Sequence, residues 1–246
     1  MRAMVLAAGL GTRLRPLTEQ RPKALVEING RTLLEITLSS LRSFGIDEVI
    51  VNVHHFADKL IDYLGVNRNF GMRIEISRED ELLDTGGGLK KAAWFFLENG
   101  SDEPFFVHNV DVLSSIDLRR MLHLHREQNA LATLAVQHRE TSRKLLFDEQ
   151  LQLCGRQSRA QAAELARPVS HIEERAFCGI HVISPQIFGK LSESGVFPIV
   201  PAYLRLVGEG ERIVGFHADQ YYWRDLGTAQ SVEKAEEDLQ NNVLKR

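Results

Sequence analysis

Six apolar residues, 3–8, run without a polar interruption into Gly9-Leu10-Gly11, and apolar runs punctuated by turns recur down the chain. A run of that length and composition has the signature of a buried strand. Residues 32–44 follow with Leu33, Leu34, Ile36, Leu38, Leu41 and Phe44 at helical spacing, and Gly45 is placed to cap the end. Residues 48–53 predict a second buried strand, 56–64 a helix ending at Gly65, and 73–77 an alternating third strand. Residues 89–97 read as an apolar helix preceded by Gly86-Gly87-Gly88, and 104–110 as a strand closing at Asp111. Asp117 is a candidate cap for a helix over 118–128, and 130–137 is strand-like again. Strands and helices in alternation predict an α/β fold with a mostly parallel sheet and helices on both faces.

The pattern loosens from Arg139 to Pro168, and Gln, Arg and Ala dominate residues 155–167. A hairpin is expected over 144–152 and a mobile excursion over the remainder. Order returns with a strand at 176–183, a helix at 198–207, a strand at 212–217 and a C-terminal helix at 231–239. No Pro-, Gly- or Ser-rich linker and no 20–50-residue repeat divides the 246 residues, so a single domain is expected.

Composition excludes several partners. Thirty basic against thirty-three acidic residues leave a net charge of −3, without the basic stripe that nucleic acid calls for. Lysines and arginines are scattered, so no membrane-surface patch is expected either. The N-terminal apolar run is too short for a signal peptide or a membrane span. With only Cys154 and Cys178, the expectation is no disulfide framework and a cytoplasmic location. The nine histidines suggest no zinc site. His54 and His55 would face opposite ways on a strand, and His123 and His125 do not share a helical face.

The loop after the first strand is more informative. Its glycines let a ligand approach the backbone closely, and Arg13, Arg15 and Lys23 follow at once. Free N–H groups beside fixed cations suit a polyphosphate. A Walker loop would end Gly-Lys-Ser/Thr, whereas this one continues Thr12-Arg13-Leu14. A dinucleotide fingerprint wants a small residue where Leu14 stands. Ligands of open α/β sheets bind outside the carboxyl ends of strands. The loop, Asp111 and the Gly86–Gly88 turn all fall near such positions.

Leu6-Ala7-Ala8-Gly9-Leu10-Gly11-Thr12-Arg13-Leu14-Arg15-Pro16-Leu17-Thr18, with Pro22-Lys23 downstream, resembles the signature of the sugar-1-phosphate nucleotidyltransferases. The likeness extends more loosely through Asp111 to Trp223-Arg224-Asp225-Leu226-Gly227-Thr228 and so spans nearly the whole chain. The compact form looks most like the N-acetylmuramate, mannose and heptose 1-phosphate enzymes. The resemblance implies a Rossmann-like three-layer sandwich, with residues 1–137 as the nucleotide-binding half and 138–246 as the sugar-binding half. Leu6, Ala7, Ala8, Gly9, Gly11, Thr12, Arg13, Gly86, Gly87 and Asn109 are then expected at the nucleotide, with Arg13 and Lys23 as catalytic cations. Asp111 and Asp225 map onto metal-binding aspartates, which implies Mg²⁺ as cofactor. Asp219 is the competitor for Asp225 but lacks the following Gly-Thr. Gly179 and Glu174 lie where family members bind the sugar, and Lys144 is a candidate second cation. Glu79 and Asp80 read as solvated charges.

The implied reaction joins a nucleoside triphosphate, UTP or GTP, to a sugar 1-phosphate and releases pyrophosphate. Neither a protein nucleophile nor a general base is needed, since the attacking phosphate oxygen is already anionic. Two other readings stay open. A phosphocholine cytidylyltransferase would keep the loop and hold a quaternary amine against Tyr222 and Trp223. A regulatory subunit on the same fold would be catalytically silent, against which stand Arg13, Lys23, Asp111 and Asp225. No attached hexapeptide-repeat acetyltransferase is expected, and the chain is expected to be a monomer or homodimer.

Overall fold

The computed structural model of the protein describes residues 1–159 and 161–241. Strand β1, Arg2–Leu6, buries alternate side chains on both faces: Ala3 and Val5 enter one apolar core, Met4 the other. A single 3₁₀ turn at Thr12–Leu14 and another at Lys23–Leu25 carry the chain to the short hairpin β2, Glu27–Ile28, and β3, Arg31–Thr32. Helix α1, Leu33–Ser43, is capped by the Thr32 hydroxyl, which accepts from the Glu35 N–H at 3.1 Å. Then come β4 (Glu48–Val53), α2 (Ala57–Val66), β5 (Arg73–Arg78), α3 (Asp84–Lys91) and α4 (Ala93–Phe96). β6 (Phe105–Asn109), β7 (Val112–Ser114), α5 (Leu118–Glu127) and β8 (Ala132–Gln137) complete the first half. Asp117 caps α5 as expected, its Oδ1 accepting from Arg119 and Arg120 N–H groups.

The second half supplies β9 (Arg143–Phe147), β10 (Leu153–Ser158), β11 (Gln161–Leu165), β12 (Glu173–Ile183) and α6 (Ile199–Gly208). It ends with β13 (Ile213–His217), β14 (Trp223–Asp225) and α7 (Ala229–Gln240). In space the central strands run β5-β4-β1-β6-β12-β8-β13. All share one direction except β12, which is antiparallel to both its neighbours β6 and β8. Helices α1, α2, α5 and α7 cover one face, and α3, α4 and α6 cover the other. The expected three-layer α/β sandwich with a mostly parallel sheet is what forms.

Two expectations are corrected. The segment 139–168 is not a mobile excursion around one hairpin: β9, β10 and β11 form an antiparallel meander attached to β12 through Glu173–Arg175. Alternation was hard to read there because its outer face is polar while Leu145, Leu146, Phe147, Leu153 and Cys154 are buried. The Gly86–Gly88 stretch is not a turn ahead of a helix either, since α3 begins at Asp84 and contains all three glycines. They are small because protein presses on them. A Cβ at Gly86 would start 2.3 Å from the Phe197 ring, and one at Gly87 would start 2.4 Å from the Gly195 carbonyl oxygen. Gly86→Ala should therefore destabilise the protein by about 1–3 kcal/mol, read as a fall of several degrees in a thermal melt. An unchanged melt would show that the α3–Phe197 contact yields freely.

Candidate functional site

The loop after β1 is built to stay open. Gly11 has φ +64°, and a side chain there would press on Thr18 at 3.0 Å and Lys23 at 3.2 Å, so only glycine closes the turn without strain. Thr18 Oγ1 donates to the Gly11 carbonyl at 2.8 Å and pins it. Gly9 has nothing within 4 Å of a built Cβ and no positive φ, so packing makes no demand for glycine there. None of the Gly9, Leu10, Gly11 or Thr12 N–H groups has a backbone acceptor among the described residues. Leu6, Ala7 and Ala8 lie beneath, and the Ala7 N–H donates to Asn52 Oδ1 at 2.7 Å.

A closed circuit of contacts joins this loop to both candidate carboxylates. Lys23, on the 3₁₀ turn started by Pro22, forms an ion pair with Asp111 just beyond β6, and both side chains are largely buried. Antiparallel pairing of β14 with β7 sets Asp225 opposite Val112, and the Leu226 N–H donates to the Asp111 carbonyl at 2.8 Å. Asp225 Oδ1 accepts the Gly227 N–H at 3.0 Å. A Cβ at Gly227 would start 2.6 Å from Arg13 Nη2 and equally near Asp225 Oδ1, which returns the circuit to the loop. From behind, α7 holds β14: Asp238 accepts from the Tyr222 hydroxyl at 2.8 Å and from Arg224 Nη2 at 2.6 Å. Strand alternation then turns Trp223 and Asp225 to the other side. Asp219 is elsewhere, its Oδ1 accepting the His138 N–H at 2.6 Å.

A carboxylate in the turn after β6 and another on β14 fit a hard divalent cation that keeps most of its ligands as water and phosphate oxygens. Among the described residues no group of three His, Cys, Asp or Glu side chains could form a cage of protein ligands.

A cleft of about 490 Å³ adjoins this circuit, bounded by Asp84, Thr85, Asn109, Lys144, Phe177 and His181. It opens because β12 pairs with β6 along 180–183 but with β9 along 173–175. At the parting, Gly179 has φ +73°, and a Cβ there would lie 2.8 Å from Asn109 Nδ2. Asn109 and Gly179 are thus brought together. Glu174 is not at that point: it is exposed further out on β12 and bound to Lys144 at 2.5 Å. Gly86 and Gly87 are likewise turned inward, both N–H groups donating to the Phe197 carbonyl.

Three side chains that the motifs do not single out join the site. Glu79 is no solvated charge; it is 3% exposed, accepting from Asn52 Nδ2 at 2.7 Å and from the Leu83 N–H at 3.0 Å. Through Asn52 it ties the loop after β1 to the start of α3. Asp80 is exposed as expected. The available signal was Asn52 itself, a polar residue inside an apolar strand. Arg139 stacks on Trp223, with its Cζ 3.8 Å from the ring centroid.

Below the cleft, burial pushes His108 down to about 4 and His181 down to about 3, and on α5 it pushes His125 down to about 4. His181 Nδ1 is 2.9 Å from the Tyr203 hydroxyl, and His125 lies between Thr133 and Ser184 hydroxyls at 2.9 Å each. These rings are neutral packing groups. Unfolded histidines bind protons near pH 6.5 and these folded ones do not, so stability is held above that pH and lost below it. A melting temperature that is flat above pH 7 and falls steeply from pH 6 to 5 is expected. His125→Asn should shallow the fall.

A cation-lined glycine loop and Asp111 at the carboxyl ends of a mostly parallel sheet, with Asp225 brought beside them on β14, fit one class, the α/β enzymes that transfer nucleotidyl groups. A family model described as "Nucleotidyl transferase" matches residues 2–145, and the chain belongs to that family. An N-acetylmuramate alpha-1-phosphate uridylyltransferase of Caulobacter vibrioides is 34% identical, covering 96% of each chain. A D-glycero-alpha-D-manno-heptose 1-phosphate guanylyltransferase of Aneurinibacillus thermoaerophilus is 30% identical over 99% of this chain and 100% of its own. In fold the chain is similar to a UDP-glucose pyrophosphorylase complexed with UDP-glucose, at TM-score 0.78, 18% identity and 98% of each chain. Among the described residues no helix is long and apolar enough to cross a membrane.

Proposed function

We propose that the enzyme transfers a nucleotidyl group from UTP or GTP to a sugar 1-phosphate, releasing pyrophosphate. The circuit from the Gly9–Thr12 N–H groups through Lys23, Asp111, Asp225 and Arg13 carries this reading. An oxygen of the sugar phosphate forms a bond to the α-phosphorus as the bond from that phosphorus to the pyrophosphate oxygen breaks. The barrier lies in bringing together roughly two and roughly four negative charges, each pair repelling by about 4 kcal/mol at ~4 Å. Arg13 and the loop N–H groups hold the departing β- and γ-phosphates, and Lys23 holds the α-phosphate. Mg²⁺, held by Asp111 and Asp225, would neutralise the phosphates and polarise the α-phosphorus. The base rests near Asn109 and the start of α3, with the sugar in the cleft beside Gly179. Residues 1–137 thus serve the nucleotide and 138–246 the sugar, in the cytoplasm.

The phosphocholine alternative is disfavoured, because the Trp223 face already carries Arg139 and the Tyr222 hydroxyl is engaged by Arg224 and Asp238. The test is pyrophosphate release with UTP, GTP, CTP, ATP and dTTP against N-acetylmuramate, mannose, heptose and glucose 1-phosphates and phosphocholine. The similarity at 34% identity makes UTP with N-acetylmuramate 1-phosphate the leading pair. Silence across the matrix, or undiminished turnover in EDTA, would overturn the reading.

A further inference from the structure

Arg139 is a half-buried guanidinium whose hydrogen bonding is unfinished. Its Nη2 donates to the Phe177 carbonyl at 2.9 Å, and its plane lies on Trp223, whose own Nε1 donates to the Cys178 carbonyl at 2.7 Å. Its Nε is sealed from solvent with no acceptor. Its Nη1 has no acceptor among the described residues either, but it is not sealed. No carboxylate pairs with it among the described residues, although Asp225 is near enough to act on it electrostatically. Besides that carbonyl only the buried Cys178 thiol, a weak acceptor, faces the guanidinium. Five donors met by one carbonyl and a weak thiol are costly to keep in a partly buried place unless an anion completes the set.

Sheet order says which anion. Arg139 follows β8, the glycine loop follows β1, and β6 and β12 run between them. Asp111 follows β6, so Arg139 stands two strand spacings from it, ~10 Å, on the side away from the loop. In-line displacement requires the attacking oxygen to arrive opposite the leaving group. With pyrophosphate leaving toward Gly9–Arg13, the attacking phosphate must come from the Arg139 side. Lys144 does not compete for this task, being bound to Glu174 on the outer rim.

We propose that Arg139 is a catalytic residue that binds the phosphate of the sugar 1-phosphate through its free Nη1, using Trp223 as a backing plate. The assignment rests on the reading of the site as a sugar-1-phosphate nucleotidyltransferase. The test uses the full-length enzyme with UTP and N-acetylmuramate 1-phosphate, or the pair that the matrix identifies. Arg139→Gln should raise KM for the sugar phosphate at least thirtyfold while the affinity for the nucleotide, titrated alone, stays within twofold. Arg139→Lys should recover part of that loss, and guanidinium added to Arg139→Ala should restore turnover. Inorganic phosphate should compete with the sugar phosphate in wild type and tenfold more weakly in Arg139→Gln.

An unchanged KM for the sugar phosphate would overturn the assignment, as would an equal loss of nucleotide affinity, which marks a mere brace for Trp223. Should Arg139→Gln melt early, Arg139→Lys carries the same test, because a point charge cannot both stack and reach the phosphate. A wild-type enzyme silent with every sugar phosphate would instead sink the functional reading itself.

Discussion

Lys23→Ala should lower turnover by at least 10³-fold while leaving nucleotide binding measurable. Lys23 is the cation held within the circuit, and one charge pair of its kind offsets about 4 kcal/mol of phosphate repulsion at an effective dielectric near 20, or about 10³ in rate. Its loss also frees the Asp111 carboxylate that it holds in place. Asp111→Asn should be comparably inactive for the converse reason, since the amide cannot anchor either Lys23 or a metal ion. Groups that act as one unit lose function together. The double variant should therefore be little worse than either single one, and additivity would show that the two side chains act separately. Lys23→Ala leaves a largely buried carboxylate without its partner, so a fall of a few degrees in melting temperature is expected with it. Rates near wild type in either single variant would remove the proposed mechanism.

Sequence and structure agree most where one local pattern settles the outcome. The apolar run of β1, the spacing of α1 and the Asp117 cap are each decided by neighbours a few residues away, and each forms as expected. Arg13 and Lys23 stand in a specific motif, while Asp111 and Asp225 stand out by order and spacing, and the fold brings all four to one place. What escaped is what depends on contacts distant in sequence. The glycines of α3 look like a ligand turn until Phe197, more than a hundred residues on, is seen against them. Glu79 looks solvated until Asn52 and Leu83 close over it. The meander 143–165 has an outer polar face and an inner apolar one, but its strands are short and register shifts interrupt the alternation. Arg139 falls at the start of that indistinct stretch, and only the fold sets it against Trp223.

Gly227→Ala should reduce turnover by two to three orders of magnitude without replacing any group that contacts substrate. The new methyl would begin 2.6 Å from both Arg13 Nη2 and Asp225 Oδ1, a separation that neither partner tolerates. Arg13 can swing into solvent, because it is exposed. Asp225 is less free: β14 is paired with β7 and held from behind by Asp238 through Arg224. The cation should therefore be displaced first, costing the grip on the leaving phosphates that an oriented donor provides, worth about 10²–10³ in rate. Asp225→Asn isolates the other half of the pair. It should raise the Mg²⁺ concentration needed for half-maximal rate by at least tenfold, whereas Gly227→Ala should leave that concentration nearly unchanged and raise KM for the triphosphate. If both substitutions move the Mg²⁺ requirement equally, the methyl has shifted the carboxylate and the order of displacement is reversed. If neither lowers the rate, Arg13 and Asp225 do not share the work assigned to them.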